Sequence, residues 1–292
     1  MKKYKKMSAE ERSAKIEALL TTIQDGVNEF TNSEKYVKLL KHLSAFHQYS
    51  PRNTILILMQ CPNATRIASY NKWKDEFNRI VCRGEKAIKI LCPNIVKRRH
   101  TTDSYVTEEL EEDEYDTLLT GFSVGNVFDI SQTEQIEGKE EIRFSICERL
   151  TGSVDGYNQI VEAVAAITDA EVVFTEIDGP ECGYYSPSEN RIVVQSEMSE
   201  KQKIKTLLHE TAHALLHNPE AKKERKWSQN DAELEAESTA FVVADFLGID
   251  TSDYTFPYLT SWSEKDNNLI DHLKYIKSAS QKMIDELEMT LA

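Results

Sequence analysis

No stretch of the chain approaches the roughly 18 consecutive apolar residues that a membrane helix requires, so transmembrane functions are excluded. The mean hydropathy of -0.50 agrees with that exclusion. The first residues, MKKYKKMSAEERSAK, carry the positive charge of a signal peptide without an apolar segment behind it, and the chain reads as cytoplasmic. Cysteine is scarce: five residues, an odd number with no Cys-x-x-Cys pair, support neither a disulfide framework nor a thiolate metal site. The 10 glycines and 7 prolines are scattered, and neither G-x-G-x-x-G nor G-x-x-x-x-G-K-[ST] occurs, so no phosphate cradle is expected.

What is present is enough chain, 292 residues, for about two domains, with charge divided unequally between them. Residues 1–100 hold 20 Lys and Arg against 9 Asp and Glu, whereas the remainder holds 15 against 40. Such asymmetry points to two segments with different partners, the basic one suited to polyanions. The sign changes where KRRH (97–100) gives way to EELEEDEYD (108–116), which reads as a solvated loop or, alternatively, as an acidic mimic shielding the basic surface. GFSVGNVFDISQT (121–133) then reads as a strand, and SQTEQIEGKEE (131–141) as the linker.

In the basic segment, Ile16, Leu19, Leu20, Ile23, Val27 and Phe30 recur at intervals of three and four, the spacing of one helix face. A second helix is expected over 34–43, and YSPRNTILILMQ (49–60) reads as a helix opened by Ser-Pro and too apolar to be exposed. A short helix around Trp73 and an alternating strand over 86–92 follow. Single-strand binding needs a basic track beside aromatic faces, and Arg52, Lys72, Lys74, Arg83, Lys86 and Lys89 with Trp73, Tyr49 and Tyr70 supply that composition.

The sharpest motif is LLHETAHALLH (207–217). Two histidines four apart on a helix, His209 and His213, are about 40° and one turn apart, so both imidazoles can reach one Zn2+. Glu210 can face the metal-bound water as general base. The flanking apolar residues bury this helix, where unpaired imidazole and carboxylate would be costly. Leu216 and Pro219 exclude the metzincin pattern, so the third ligand is sought in DAELEAESTAFVVADFLG (231–248). Glu233 and Glu237 share a face there; Glu237 is taken as the ligand and Glu233 as its neighbour or alternative. Glu235, on another face, is expected to be solvated. His217 is read as packed or hydrogen-bonded, because three turns cannot converge on one tetrahedral ion, and His42, His47, His100 and His272 lack ligand spacing. Upstream, VVFTEIDGPECGYYSPSENRIVVQ (172–195) reads as strands with a hairpin whose edge can pair with an extended peptide, and Tyr184 or Tyr185 could steady an oxyanion or simply pack in the core.

Residues 49–93 and the later VFDISQTEQIEG resemble the N-terminal domain of ArdC-type antirestriction proteins, with Ala87 in place of the usual glycine after Gly-Glu-Lys and with an added acidic insert. The strand, His-Glu-x-x-His helix and Glu-x-Ser-x-Ala-Phe helix are similar to the zincin-like half of the same family and, more distantly, to ImmA/IrrE-like metallopeptidases. GIDTSDYTFPYLTSWS (248–263) resembles the tail that follows. The resemblance implies an α+β protein of two domains, a single-stranded-DNA-binding domain over residues 1–140 and a gluzincin-like domain over 150–292. It carries His209, Glu210, His213 and Glu237 into the family's metal and catalytic positions. It further implies a protein of mobile elements that protects incoming single-stranded DNA from host restriction. Two other readings stay open: a non-catalytic DNA-coating protein with a structural zinc, and an ImmA-like protease that cleaves a repressor.

Overall fold

The computed structural model describes residues 9–30, 33–99, 115–139, 154–178, 181–249 and 269–291. The acidic run at 108–114 and the tail at 250–263 lie outside them.

Three helices open the chain: α1 (Ala9–Glu29), α2 (Ser33–Ala45) and α3 (Pro51–Gln60). The Ser-Pro signal behaves as expected, Ser50 capping α3 by accepting from the Asn53 N–H with Pro51 in the first turn. Next come β1 (Ile67–Ser69), α4 (Tyr70–Asp75), β2 (Arg79–Val81), β3 (Ile88–Arg99), β4 (Tyr115–Asp129) and β5 (Thr133–Gln135). The long antiparallel hairpin of β3 and β4 has β1 on its other side, in the order β1-β4-β3, while β2 and β5 form a separate ribbon. The stretch read as a linker therefore contributes β5, because Thr133 to Gln135 find backbone partners on β2.

β3 is a sheet edge, and α3 covers it with side-chain amides. Asn53 donates to the Leu91 carbonyl and accepts from the Leu91 N–H, both at 2.9 Å. Gln60, two turns further on, does the same with Lys89 at 2.8 Å. Helix positions seven apart thus meet strand positions two apart on one face, and backbone groups otherwise open to another chain are satisfied.

The second half holds α5 (Val154–Ala165), β6 (Glu171–Thr175), β7 (Gly183–Ser186), β8 (Arg191–Gln195), α6 (Glu200–Leu216), the short α7 (Ala221–Glu224), α8 (Gln229–Phe246) and α9 (Leu269–Leu291). Its sheet runs β6-β8-β7, β6 and β8 parallel, with β7 as the antiparallel edge of a hairpin whose turn residue Asn190 adopts φ 49°. Gly183 brings β7 against α6, since a Cβ there would sit 2.6 Å from Thr206 Cγ2 and 2.7 Å from the Val193 carbonyl oxygen. Among the described residues no helix is long and apolar enough to cross a membrane.

One apolar core runs through both halves: Leu39 and Leu40 of α2 belong to the same buried cluster as Phe241 of α8 and Leu273 of α9. Across that junction the buried Tyr36 hydroxyl and the Ser238 hydroxyl are hydrogen-bonded at 2.8 Å. Tyr36→Phe should therefore lower stability by about 1–2 kcal/mol, by stranding the Ser238 hydroxyl. Urea unfolding checks this, and an unchanged midpoint would mean that the bond contributes nothing between the halves.

Candidate metal centre

Ser199 caps α6 at its start, and the helix then runs through the motif on a largely buried face, with Leu207, Leu208 and Ala212 fully enclosed. His209 and His213 project from successive turns with their Nε2 atoms 3.1 Å apart. Glu233, from the first turns of α8, brings Oε2 to 3.4 Å from His209 Nε2 and 3.7 Å from His213 Nε2. Bonds of about 2.0–2.1 Å to a tetrahedral ion require donors about 3.3 Å apart, so these three edges fit one divalent metal. Among the described residues this is the one cluster of three such donors.

The carboxylate level with the two Nε2 atoms is thus that of Glu233, where the sequence analysis takes Glu237 as the ligand and Glu233 as its alternative. Glu237 lies one turn along α8, and its Oε2 meets the other side of the His209 ring, 3.1 Å from Nδ1, with Lys205 3.5 Å away at Oε1. It can orient the imidazole by accepting its Nδ1–H. Burial opposes charge on His209, but Glu233 and Glu237 outweigh it and raise the ring to about 10. Glu233 is held well below the usual carboxylate range by bonds to His209 and His213.

Glu210 lies beside the cluster, 8% exposed, its carboxylate accepting from the backbone N–H of Tyr185. Burial raises its pKa while His209 and His213 pull it down. The site opens into a cleft of about 730 Å³ walled by β7, Pro187, Lys222 and Trp227. Tyr184 is 45% exposed rather than in the core and lines this cleft. Tyr185 lines it too, but its hydroxyl donates to Asn190 Oδ1 at 3.4 Å.

Behind the cluster lies a network that composition did not announce. Glu235, expected to be solvated, has 0% exposure. Arg225 donates to it at 2.9 and 2.6 Å, and His217 and His272 approach at 3.0 and 2.6 Å. Burial would raise its pKa, but these partners outweigh burial and hold it far below the usual range. The Arg225 guanidinium lies 3.8 Å from the centroid of Tyr275 and 4.9 Å from that of Trp227. His217 is indeed packed and hydrogen-bonded, its Nδ1 3.0 Å from His213 Nδ1.

In the N-terminal half, Arg52, Lys72, Lys74, Arg83, Lys86 and Lys89 are exposed. Trp73 is not available for stacking: it is 1% exposed, donates from Nε1 to the Phe128 carbonyl at 2.9 Å and packs on Phe77. Tyr70, 45% exposed, is the aromatic beside Lys72 and Lys74 that reaches solvent. The buried Asp129 opens a capping box, Asp-x-x-Gln, that Gln132 closes; it accepts from the N–H groups of Thr65, Arg66 and Ser131, which more than offset its burial and depress its pKa.

A helix bearing two imidazoles and a glutamate, a carboxylate from α8 and an antiparallel edge strand define a metallopeptidase-like fold. Residues 171–256 match the IrrE N-terminal-like domain, and residues 3–128 match the N-terminal domain of anti-restriction factor ArdC. The first half of the chain thus matches an ArdC-type N-terminal domain and the second an IrrE-like peptidase domain. It is similar to crystal structures of the antirestriction ArdC protein from the R388 plasmid. The metal-free form gives a TM-score of 0.52 at 17% identity over 82% of this chain and 86% of that one. The Mn(II)-bound form gives 0.50 at 18% over 84% and 85%. The uncharacterized protein pXO2-81 of Bacillus anthracis is 24% identical over 94% of this chain, which spans only 51% of that relative's length.

Without metal, the His209 imidazolium contributes stability that is full below its unfolded pKa of about 6.5 and lost as pH rises through about 10. Ligation needs the neutral ring, so loading displaces a proton, and metal affinity should rise about tenfold per pH unit near neutrality. Chelator competition at several pH values between about 6.5 and 8.5 measures this slope; a flat profile would contradict the charge assigned to His209.

Proposed function

We propose that this protein is an antirestriction-type factor of a mobile element, working in the cytoplasm, that binds single-stranded DNA through its N-terminal domain. On the same reading it carries a zinc-dependent peptidase centre at His209, His213 and Glu233. The observation that carries the proposal is the meeting of those three donors at tetrahedral edge lengths with Glu210 alongside. Two imidazoles and one carboxylate suit zinc and leave a fourth position open, as hydrolytic centres require.

A bound metal would supply Lewis-acid polarisation of a peptide carbonyl and acidify a water molecule. Glu210 would accept the proton on its carboxylate and return it to the departing amine nitrogen; its burial makes it a stronger base than an exposed glutamate. β7 offers an edge on which an extended peptide can pair, and Tyr184 is the tyrosine whose position in the cleft suits a developing oxyanion. Glu237 would orient His209 from its Nδ1 side. For DNA, support comes from the exposed Lys72, Lys74, Arg83, Lys86 and Lys89 with Tyr70, and from the antirestriction family whose N-terminal domain this one matches.

Metal analysis of purified variants tests the ligand set: Glu233→Ala should lose bound zinc, whereas Glu237→Ala should retain it with about 10–100-fold weaker affinity. The reverse order would restore Glu237 as the ligand. Glu210→Gln should keep both zinc and DNA binding while slowing peptide hydrolysis by about 10²–10⁴-fold. Full protection of DNA by that variant would favour a coating role in which zinc is structural.

Replacing Lys72, Lys74, Arg83 and Lys86 by alanine should weaken single-strand binding and flatten its salt dependence, by about 0.7 in slope for each phosphate that the protein no longer neutralises. Unchanged binding in titrations at several salt concentrations would remove the DNA role from this surface.

A further inference from the structure

The two proposed imidazole ligands are held from behind in different ways. His209 meets a carboxylate directly, Glu237 at 3.1 Å from Nδ1. His213 meets another imidazole, that of His217, Nδ1 to Nδ1 at 3.0 Å. We propose that His217 and Glu235 act as a positioning relay that fixes His213 in the tautomer presenting Nε2 to the metal. This inference rests on the metal-site reading above.

The proton placement follows from the bonds. A ring that ligates through Nε2 carries its proton on Nδ1, so His213 donates and His217 accepts. Accepting at Nδ1 leaves the His217 proton on Nε2, which lies 3.0 Å from Glu235 Oε2. Glu235 can only accept there, because Arg225 donates to both of its oxygens and His272 approaches Oε1 at 2.6 Å. The opposite tautomer of His217 would set its Nδ1–H against the His213 Nδ1–H and leave a bare nitrogen facing an ionised carboxylate. One arrangement of protons therefore satisfies every contact from Arg225 to His213.

The relay is also fixed mechanically. His217 is the residue that ends α6, and its ring lies edge-on to Trp227 with centroids 5.2 Å apart. Arg225 holds that end of α6 by donating to the Leu216 carbonyl at 3.2 Å. Through His272 the chain of bonds begins on α9, so the orientation of a metal ligand on α6 depends on the packing of the last helix. His217, whose place in the i, i+4 series suggests a third ligand, serves instead as the group behind the second.

His217→Phe keeps a ring against Trp227 and removes both nitrogens. In the 292-residue chain, zinc affinity measured against a chromophoric chelator should fall about 10–100-fold. His217→Gln, which can accept with its carbonyl and donate with its amide, should recover part of that loss. ¹⁵N shifts of the histidines in zinc-loaded wild type give a reading independent of any variant: Nδ1 protonated on His213, Nε2 protonated on His217. Wild-type affinity in His217→Phe, or a proton on Nδ1 of His217, would overturn the relay. If wild type binds no zinc, the metal-site reading falls and the relay with it, an outcome distinct from zinc binding that ignores His217. Should His217→Phe fail to fold, the wild-type shifts decide alone.

Discussion

A carboxylate with no exposed surface has to be matched by positive charge and N–H donors, and meeting that demand at Glu235 organises the second half of the protein. The matching groups come from the end of α6, the segment before α8 and the body of α9, so three elements must arrive together for α8 to be buried at all. The same helix presents Glu233 and Glu237 on its other side, each matched by the imidazole groups of α6. Acidic residues on opposite faces of α8 thus tie it to its neighbours on both sides, which is more specific than apolar packing of its many alanines and valines could be.

Much of this is legible along the chain. The three-and-four spacing marks the helix α1, the Ser-Pro pair marks the start of α3, and the His-Glu-x-x-His pattern locates two imidazoles and a glutamate at one place. What is not legible depends on where one helix crosses another. Glu233 and Glu237 lie on one face a single turn apart, and only the crossing of α6 and α8 decides which is level with the Nε2 atoms. Glu235 defeats the expectation of a solvated carboxylate because α8 has no face turned to water at that level: α2, α6 and α9 all pack against it. The small residues Ala236, Ser238, Thr239 and Ala240 around it are the available signal of a helix enclosed on all sides.

Trp73 illustrates the same limit in the basic half. Its lysine neighbours suggest an exposed stacking face, but a six-residue helix has an inner side as well as an outer one, and the indole takes the inner side with its N–H satisfied by Phe128. The lysines keep the outer side. Here the aromatic sets the geometry of the surface while the charges and Tyr70 remain available to solvent.

The two family domains are distinguishable by sequence, yet α2 of the first packs on α8 of the second and shares its core. Separability in sequence and separability in packing are different properties, and this protein has the first without the second. Neither half could be exchanged for a homologous one unless the replacement also offered a complementary face at Tyr36 and Ser238. Recombination between relatives is therefore constrained at a junction that adjoins Glu237 along α8, and the two halves must vary together wherever they touch.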